Sequence, residues 1–174
     1  MRAMSLRGCC LLVIAGFLFC SLSFAQSGNS RGPSTPEERT RAVQVAHKLE
    51  SNPLDESLKS DREWAILWLI QVPDIHVNVC TNVLGDFMKS KYKYSSEIVT
   101  QLTLSSAAFV IEHPESSNDS VAQYIAGTEG VLKAYHSIIQ LKTKATSKAL
   151  DELTQAQTEG RLPDKVREAS KTCK

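Results

Sequence analysis

The amino-acid sequence predicts an all-α fold: a single-domain bundle of six or seven helices, tied by one disulfide. Apolar residues recur every three or four positions along most of the chain, which is the spacing of one helix face. Polar boxes that cap helices and X-Pro pairs that stop them separate these stretches. No group of segments has the length and residue types of a set of strands, and no repeat has the period of a helical solenoid.

The first 25 residues are typical of a secretory signal peptide. Arg2 and Arg7 precede an apolar run at 11–20, and small residues stand at Ser23 and Ala25, where a signal peptidase requires them. The apolar run is too short to span a bilayer comfortably. We therefore predict cleavage after residue 25 and export to the periplasm or the exterior.

A polar stretch, 26–34, follows the signal peptide and contains no apolar residue, which predicts a disordered tail. The helical domain is predicted over 35–174. Its first helix starts at Thr35–Glu38, which has the form of a capping box with proline at the first helical position. Asn52–Pro53 ends this helix.

The second helix is predicted to begin at the capping box Ser60–Glu63 and to continue through 64–70, which contains no polar residue. Because it is apolar on every side, we expect it at the centre of the bundle. The next segment is ambiguous, since 75–79 alternates like a strand while the apolar residues up to Met88 have helical spacing. We interpret 75–88 as a helix.

The fourth helix ends at His113–Pro114, and its small residues at 105–108 would let another helix approach closely. The fifth, over 121–139, has the clearest helical period in the chain. Gly127 and Gly130 weaken its intrinsic helicity and suggest a close crossing.

The last two helices are predicted at 147–159 and beyond Leu162–Pro163, separated by Gly160. Both are more polar than the others. We therefore expect them to cover the bundle rather than to form its centre.

Composition indicates a near-neutral mature protein. The predicted signal peptide holds two arginines and no acid, which leaves 18 Lys and Arg (20 minus 2) against 19 Asp and Glu, a formal net charge of −1. Basic residues are scattered along predicted helix faces, which argues against a nucleic-acid partner. We also expect no stable membrane insertion after signal cleavage.

Cys80 and Cys173 remain after signal cleavage, and an even pair of cysteines in an exported protein suggests a disulfide. Two buried free thiols are the alternative. In a strict up-and-down bundle Cys80 would lie about one turn from one pole and Cys173 about 15 Å from that same pole, whereas a disulfide needs Cα atoms within about 7 Å. We therefore expect the last helix to cross the bundle obliquely.

Common catalytic, cofactor and metal motifs are absent from the sequence, and we expect no bound cofactor. One candidate metal or proton-transfer cluster depends on topology: Asp74, His76, Glu112, His113 and Glu115 would converge if the second, third and fourth helices alternate in direction. Helix capping and simple solvent exposure are the alternative explanation for these residues.

Trp64 and Trp68 lie one helical turn apart and either line a ligand groove or pack in the core. The leading functional hypothesis is an exported, non-catalytic interaction or binding protein of the cell envelope, whose partner is another envelope or secreted protein. One alternative is a metal-binding protein or enzyme that uses the cluster around His76 and His113. The other is a carrier of a small apolar ligand beside the two tryptophans.

Overall fold

The computed structural model describes residues 31–173, and in these residues the fold is all-α, as predicted. The α-helices are α1 Pro36–Ser51, α2 Lys59–Gln71, α3 Ser95–Glu112, α4 Ser120–Leu141, α5 Lys148–Thr158 and α6 Leu162–Ser170. Short 3-10 helices cover Glu56–Leu58, Thr81–Lys89 and Pro114–Ser116. The predicted signal peptide, 1–25, lies outside the described residues. Among the helices of the described part, none is both long and apolar enough to cross a bilayer.

Side-chain caps form at the starts of α1 and α4, and the cap of α1 is the one predicted from the sequence. At α1, Thr35 Oγ1 accepts a hydrogen bond from the Glu38 backbone, and the Glu38 carboxylate accepts one from the Thr35 backbone. At α4, the Asp119 side chain accepts from the backbone of Ala122 at 3.0 Å. The capping box predicted at Ser60 does not form, because α2 begins one residue earlier without a side-chain cap.

The predicted tail, 26–34, lies partly outside the described residues, and its described part contacts the helical domain. Arg31 forms an ion pair with Glu38. The Ser34 backbone N–H and hydroxyl both donate to the Asp74 carboxylate at 2.8 Å. The tail as a whole stays a prediction.

The centre of the fold is the crossing of α3 and α4, where small residues predicted a close approach. A Cβ atom on Gly127 would lie 2.9 Å from the carbonyl oxygen of Leu102 in α3. A Cβ atom on Gly130 would clash with Ser105. The predicted close crossing is confirmed, and α1 packs against both helices.

The expectation that α2 is central is wrong. Its buried residues are only Ala65 and Trp68, whereas Leu67 is 58 % exposed and Ile70 is 74 % exposed. An apolar run shows that a segment is hydrophobic, but it does not show how many other elements surround it. In this fold α2 packs through one face only. The expectation that the last two helices only cover the bundle is also wrong. Helices α5 and α6 contribute fully buried residues to the main core: Leu150, Leu153, Leu162 and Val166.

The helix predicted over 75–88 is wrong for 75–80, and 81–88 is 3-10 rather than α-helical. The backbone has no helical hydrogen-bonding pattern from 75 to 80, and the following 3-10 segment is broken by Gly85 at φ 61°. The Asn78 backbone N–H donates to Gln123 Oε1 of α4 at 2.8 Å instead of to a preceding carbonyl. A tertiary contact has therefore replaced the local hydrogen bond that the spacing predicted.

The disulfide joins Cys80 and Cys173, with the two Cα atoms 5.8 Å apart. It is supported by a neighbouring hydrogen bond from the Asn82 amide to Thr172 Oγ1 at 2.9 Å. The residues after α6 reach Cys80 because α6 packs against both α4 and the 3-10 segment Thr81–Lys89. The predicted pairing is confirmed.

Candidate functional site

Two lysine-rich segments that are far apart in the sequence meet around one pocket. The first follows the 3-10 segment, and the second connects α4 to α5. Their pocket has a volume of about 960 Å³, and we call it the lysine pocket. It is lined by six lysines: Lys89, Lys91, Lys93, Lys142, Lys144 and Lys148.

The lysine pocket carries a strong excess of positive charge. Only two acidic residues, Asp86 and Glu152, line it, so six lysines minus two acids give a formal charge of +4. Lys89 pairs with Asp86 at 2.8 Å. Among the described residues, no acidic side chain lies in ion-pair range of the other five lysines. Their ammonium groups are thus available to an anion.

Two tyrosine hydroxyls hold the α4–α5 connection against the rest of the domain. Tyr92 donates to the carbonyl of Ala145 at 3.0 Å. Tyr135 accepts a hydrogen bond from the Ser147 backbone at 2.8 Å and donates to Asp151 at 2.5 Å. Burial, followed by the hydrogen bond to Asp151, raises the pKa of Tyr135 to about 12. Its hydroxyl therefore remains a donor throughout the neutral range.

A cluster of aromatic side chains forms part of the wall of the lysine pocket. The ring of Tyr92 contacts those of Phe87, Tyr94 and Tyr135 edge-on, with centroid distances of 5.6, 5.9 and 6.2 Å. Phe87 and Tyr135 are fully buried, whereas Tyr92 and Tyr94 are partly exposed and line the pocket. The pocket therefore combines a basic rim with a rigid aromatic wall.

Asp74 belongs to a different part of the domain. Its carboxylate accepts hydrogen bonds from Ser34 and from Arg39, the latter at 2.7 Å. The hydrogen bond from the Ser34 backbone, with those from the Ser34 hydroxyl and Arg39, lowers the pKa of Asp74 to about 2 although desolvation opposes this shift. This residue of the predicted cluster thus anchors the start of the domain.

The other residues of the predicted cluster form no three-ligand site. Glu112 faces His47 at 3.4 Å, His113 lies 3.5 Å from Glu115, and His76 is exposed. Within residues 31–173, no three His, Cys, Asp or Glu side chains are grouped so that they could hold a metal ion. Of the predicted cluster, the structure pairs His113 with Glu115, while Asp74 and Glu112 have partners outside it.

Trp64 and Trp68 stack on each other with ring centroids 5.8 Å apart. Trp68 is buried, and the guanidinium of Arg41 lies 3.9 Å from the ring centroid of Trp64. Neither tryptophan lines the lysine pocket or a smaller apolar pocket of about 360 Å³ beside Ile70 and Ile75. Both rings pack between α1 and α2.

Sequence reasoning missed the lysine pocket because it treated the basic residues as scattered. That expectation is wrong, since one third of the 18 Lys and Arg outside the predicted signal peptide lie around one pocket. The available signal was local: lysines alternate with other residues at 89–93 and again at 142–144. The sequence could not show that the two segments meet. The expected absence of a nucleic-acid partner was based on that scattering and stays a prediction.

Comparison with known proteins finds no matching family model, curated protein or solved structure. The chemistry of the lysine pocket therefore has to be derived from its own residues. Six ammonium groups, partly exposed tyrosine rings and a helix start are suited to holding a negatively charged molecule.

Proposed function

We propose that this protein is an exported, non-catalytic binding protein whose ligand is a small anionic molecule held in the lysine pocket. The observation that carries the proposal is the convergence of six lysines against two acids on one pocket. A volume of about 960 Å³ lies within the range of small-molecule sites, which is roughly 300 to 1,000 Å³.

Repulsion between the lysines supports the same proposal. Like charges gathered at one surface raise the free energy of the folded state, and a bound anion relieves that repulsion. An anion that binds only the folded state also stabilises it by mass action. Ligand binding should therefore raise the melting temperature, and high salt should weaken the effect.

The non-catalytic and exported parts of the proposal are supported by the sequence. It contains none of the common nucleophile, metalloprotease or phosphate-loop motifs. Export is supported by the charged start, apolar run and small residues within 1–25. N-terminal sequencing of protein recovered from a secreting host would test it, and an intact Met1 would contradict it.

The test of anion binding uses pyrophosphate as a probe and calorimetric titration of the purified protein. A triple variant, Lys91→Gln, Lys93→Gln and Lys144→Gln, removes three charges from the lysine pocket. We expect it to lose affinity by about tenfold or more, which corresponds to about 1.4 kcal/mol.

The matched control removes three exposed lysines elsewhere, through Lys48→Gln, Lys59→Gln and Lys171→Gln. Both triple variants have the same net charge, so a site-specific effect appears only in the first. Equal losses in the two variants would show that pyrophosphate responds to overall charge, and the proposal would be rejected. No binding by the wild type would reject it as well.

A further inference from the structure

We infer that Ser147 and the start of α5 form a subsite for a tetrahedral oxyanion, a phosphoryl or sulfuryl group, within the lysine pocket. This inference rests on the anion-binding function proposed for the same pocket. It goes further by assigning the position and the chemical class of the bound group.

The first observation is an unpartnered hydroxyl in the pocket wall. Ser147 lines the lysine pocket and is only 6 % exposed, yet its Oγ has no hydrogen-bond partner. Its backbone N–H is already used, since it donates to Tyr135. Buried hydroxyl groups are nearly always paired in folded proteins, so this one is an exception that calls for an explanation.

The second observation is that α5 starts without a side-chain cap. Ser147 occupies the N-cap position of this 11-residue helix, but no side chain accepts a hydrogen bond from its first N–H groups. At α1 and α4 the equivalent residues, Thr35 and Asp119, do make that bond. The backbone N–H groups of Lys148 and Ala149, two residues that line the pocket, add to the positive end of the helix dipole.

The acidic residue in the first turn of α5 does not compensate for the missing cap. Asp151 accepts the Tyr135 hydroxyl at 2.5 Å. One of its carboxylate oxygens is therefore already engaged by Tyr135. An external anion would supply the acceptor that Thr35 and Asp119 supply at α1 and α4, whereas α2, α3 and α6 also start without a side-chain cap.

A tetrahedral oxyanion fits this donor set better than a carboxylate. The subsite has three kinds of donor: the Ser147 hydroxyl, the backbone N–H groups of the first turn of α5 and the ammonium of Lys148. A phosphoryl or sulfuryl group offers three terminal oxygens, one for each kind of donor. A carboxylate offers two oxygens in one plane.

The test compares Ser147→Ala with a serine outside the lysine pocket. The Ser117 hydroxyl donates to the carbonyl of Pro114 at 2.8 Å, and this residue does not line the pocket. We expect Ser147→Ala to lower the affinity for inorganic phosphate and sulfate by about tenfold, the effect of losing a hydrogen bond to a charged group. We expect Ser117→Ala to stay within about twofold of the wild type.

Stability without ligand gives a second readout, because Ser147→Ala removes an unpaired hydroxyl rather than a hydrogen bond. We expect the melting temperature of the variant without added anion to equal or exceed that of the wild type. In amide NMR spectra of the wild type, phosphate should shift the Lys148 and Ala149 resonances most strongly. A melting temperature that falls sharply would mean that the hydroxyl serves the fold instead, and the inference would be wrong.

The remaining outcomes separate the inference from the proposed function. Unchanged phosphate affinity in Ser147→Ala, with loss in the lysine triple variant, overturns the subsite and keeps the function. Loss of affinity in neither variant overturns both. Acetate that binds as tightly as phosphate overturns the tetrahedral class. Phenyl phosphate tests whether the ligand is a phosphate ester or the free ion. Tighter binding than that of inorganic phosphate supports an organic ester that reaches the tyrosines, and equal binding supports the free ion.

Discussion

At the scale of single residues, the buried carboxylate of Glu50 organises the polar interior. It accepts hydrogen bonds from Ser105 at 3.1 Å, from Lys133 at 3.0 Å and from His47 at 3.2 Å. A charge with so little exposure is tolerated only when it is paired and hydrogen-bonded. These contacts join α1, α3 and α4. The sequence did not indicate them, because Glu50 has the appearance of an ordinary polar residue near the end of a helix.

The His47 contacts predict a pH-dependent stability. Partial burial alone would lower the pKa of His47, but hydrogen bonds to Glu50 and Glu112 outweigh it and raise the pKa above 6.5. A raised histidine pKa stabilises the fold fully below the unfolded value, and this contribution is lost as pH rises through the folded value. The melting-temperature advantage of the wild type over His47→Gln should therefore shrink between about pH 5 and about pH 8.

The control for that titration is His76→Gln, which changes an exposed histidine that forms no ion pair among the described residues. The pH dependence of its difference from the wild type is the baseline for His47→Gln. A His47→Gln difference that follows this baseline would show that the contacts of His47 do not make stability depend on pH.

Asp74 predicts the opposite dependence on acid. Its pKa falls from 3.8 to about 2 on folding, so its contribution is present above the unfolded value and is lost as pH falls toward 2. We expect Asp74→Asn to lower the free energy of unfolding at neutral pH by about 1 to 2 kcal/mol, since acceptors for Ser34 and Arg39 are weakened. Urea denaturation should show this loss disappearing near pH 2.

Asp164→Asn provides the comparison for this acid dependence. Among residues 31–173, Asp164 pairs only with Arg167, on the helix surface. Exposed pairs of this kind contribute little to stability. A loss for Asp74→Asn that is no larger than the loss for Asp164→Asn would contradict the anchoring role.

At the scale of elements, the close crossing of α3 and α4 determines whether alanine at Gly127 stabilises or destabilises the fold. Alanine at Gly127 would improve helix propensity by about 0.8 to 1.0 kcal/mol. Its methyl group would, however, lie 2.9 Å from the backbone oxygen of Leu102, which cannot move aside as a side chain can. We expect overpacking to win and Gly127→Ala to lose about 1 to 3 kcal/mol in urea denaturation.

Glu129→Ala is the matched substitution on the exposed side of the same helix, and it should be nearly neutral. A stabilising Gly127→Ala would show that propensity outweighs the contact. It would also mean that the two helices have room to separate.

The elements that could be predicted from sequence are those whose signals are local. The α4 helix repeats one buried face over several turns, and its start at Asp119 is a side-chain cap, so both were visible in the sequence. The errors arose where tertiary contacts decide. The positive φ of Gly85 ends a helix that spacing alone would continue. Leu67 and Ile70 stay exposed because no neighbour in the described chain covers them.

At the scale of the whole molecule, folding gathers positive charge around one pocket although the chain as a whole is nearly neutral. The lysine pocket draws on two segments about 50 residues apart, and they meet through the hydrogen bond from Tyr92 to Ala145. Net charge and local composition contain no information about such a meeting. This is why the class of fold could be predicted, while the candidate site required the three-dimensional arrangement.

The disulfide connects this arrangement to the redox state of the surroundings. It closes a separation of 93 residues, and Cys80 directly precedes the 3-10 segment that supplies Gly85, Asp86 and Lys89 to the pocket wall. We expect the double variant Cys80→Ser, Cys173→Ser to lose about 4 to 5 kcal/mol of unfolding free energy, the chain-entropy value for a loop of this length. Pyrophosphate affinity should fall too, because the wall is less firmly held.

Urea denaturation and calorimetric titration, each with and without a thiol reductant, check both effects. The reductant should weaken the wild type and leave the double variant unchanged, because the variant has no bond between these residues to reduce. If free thiols are detected after treatment and the unfolding midpoint of the wild type does not change, the disulfide does not stabilise the fold. Lower stability with unchanged pyrophosphate affinity would show that the other contacts of the 3-10 segment suffice to hold the pocket wall.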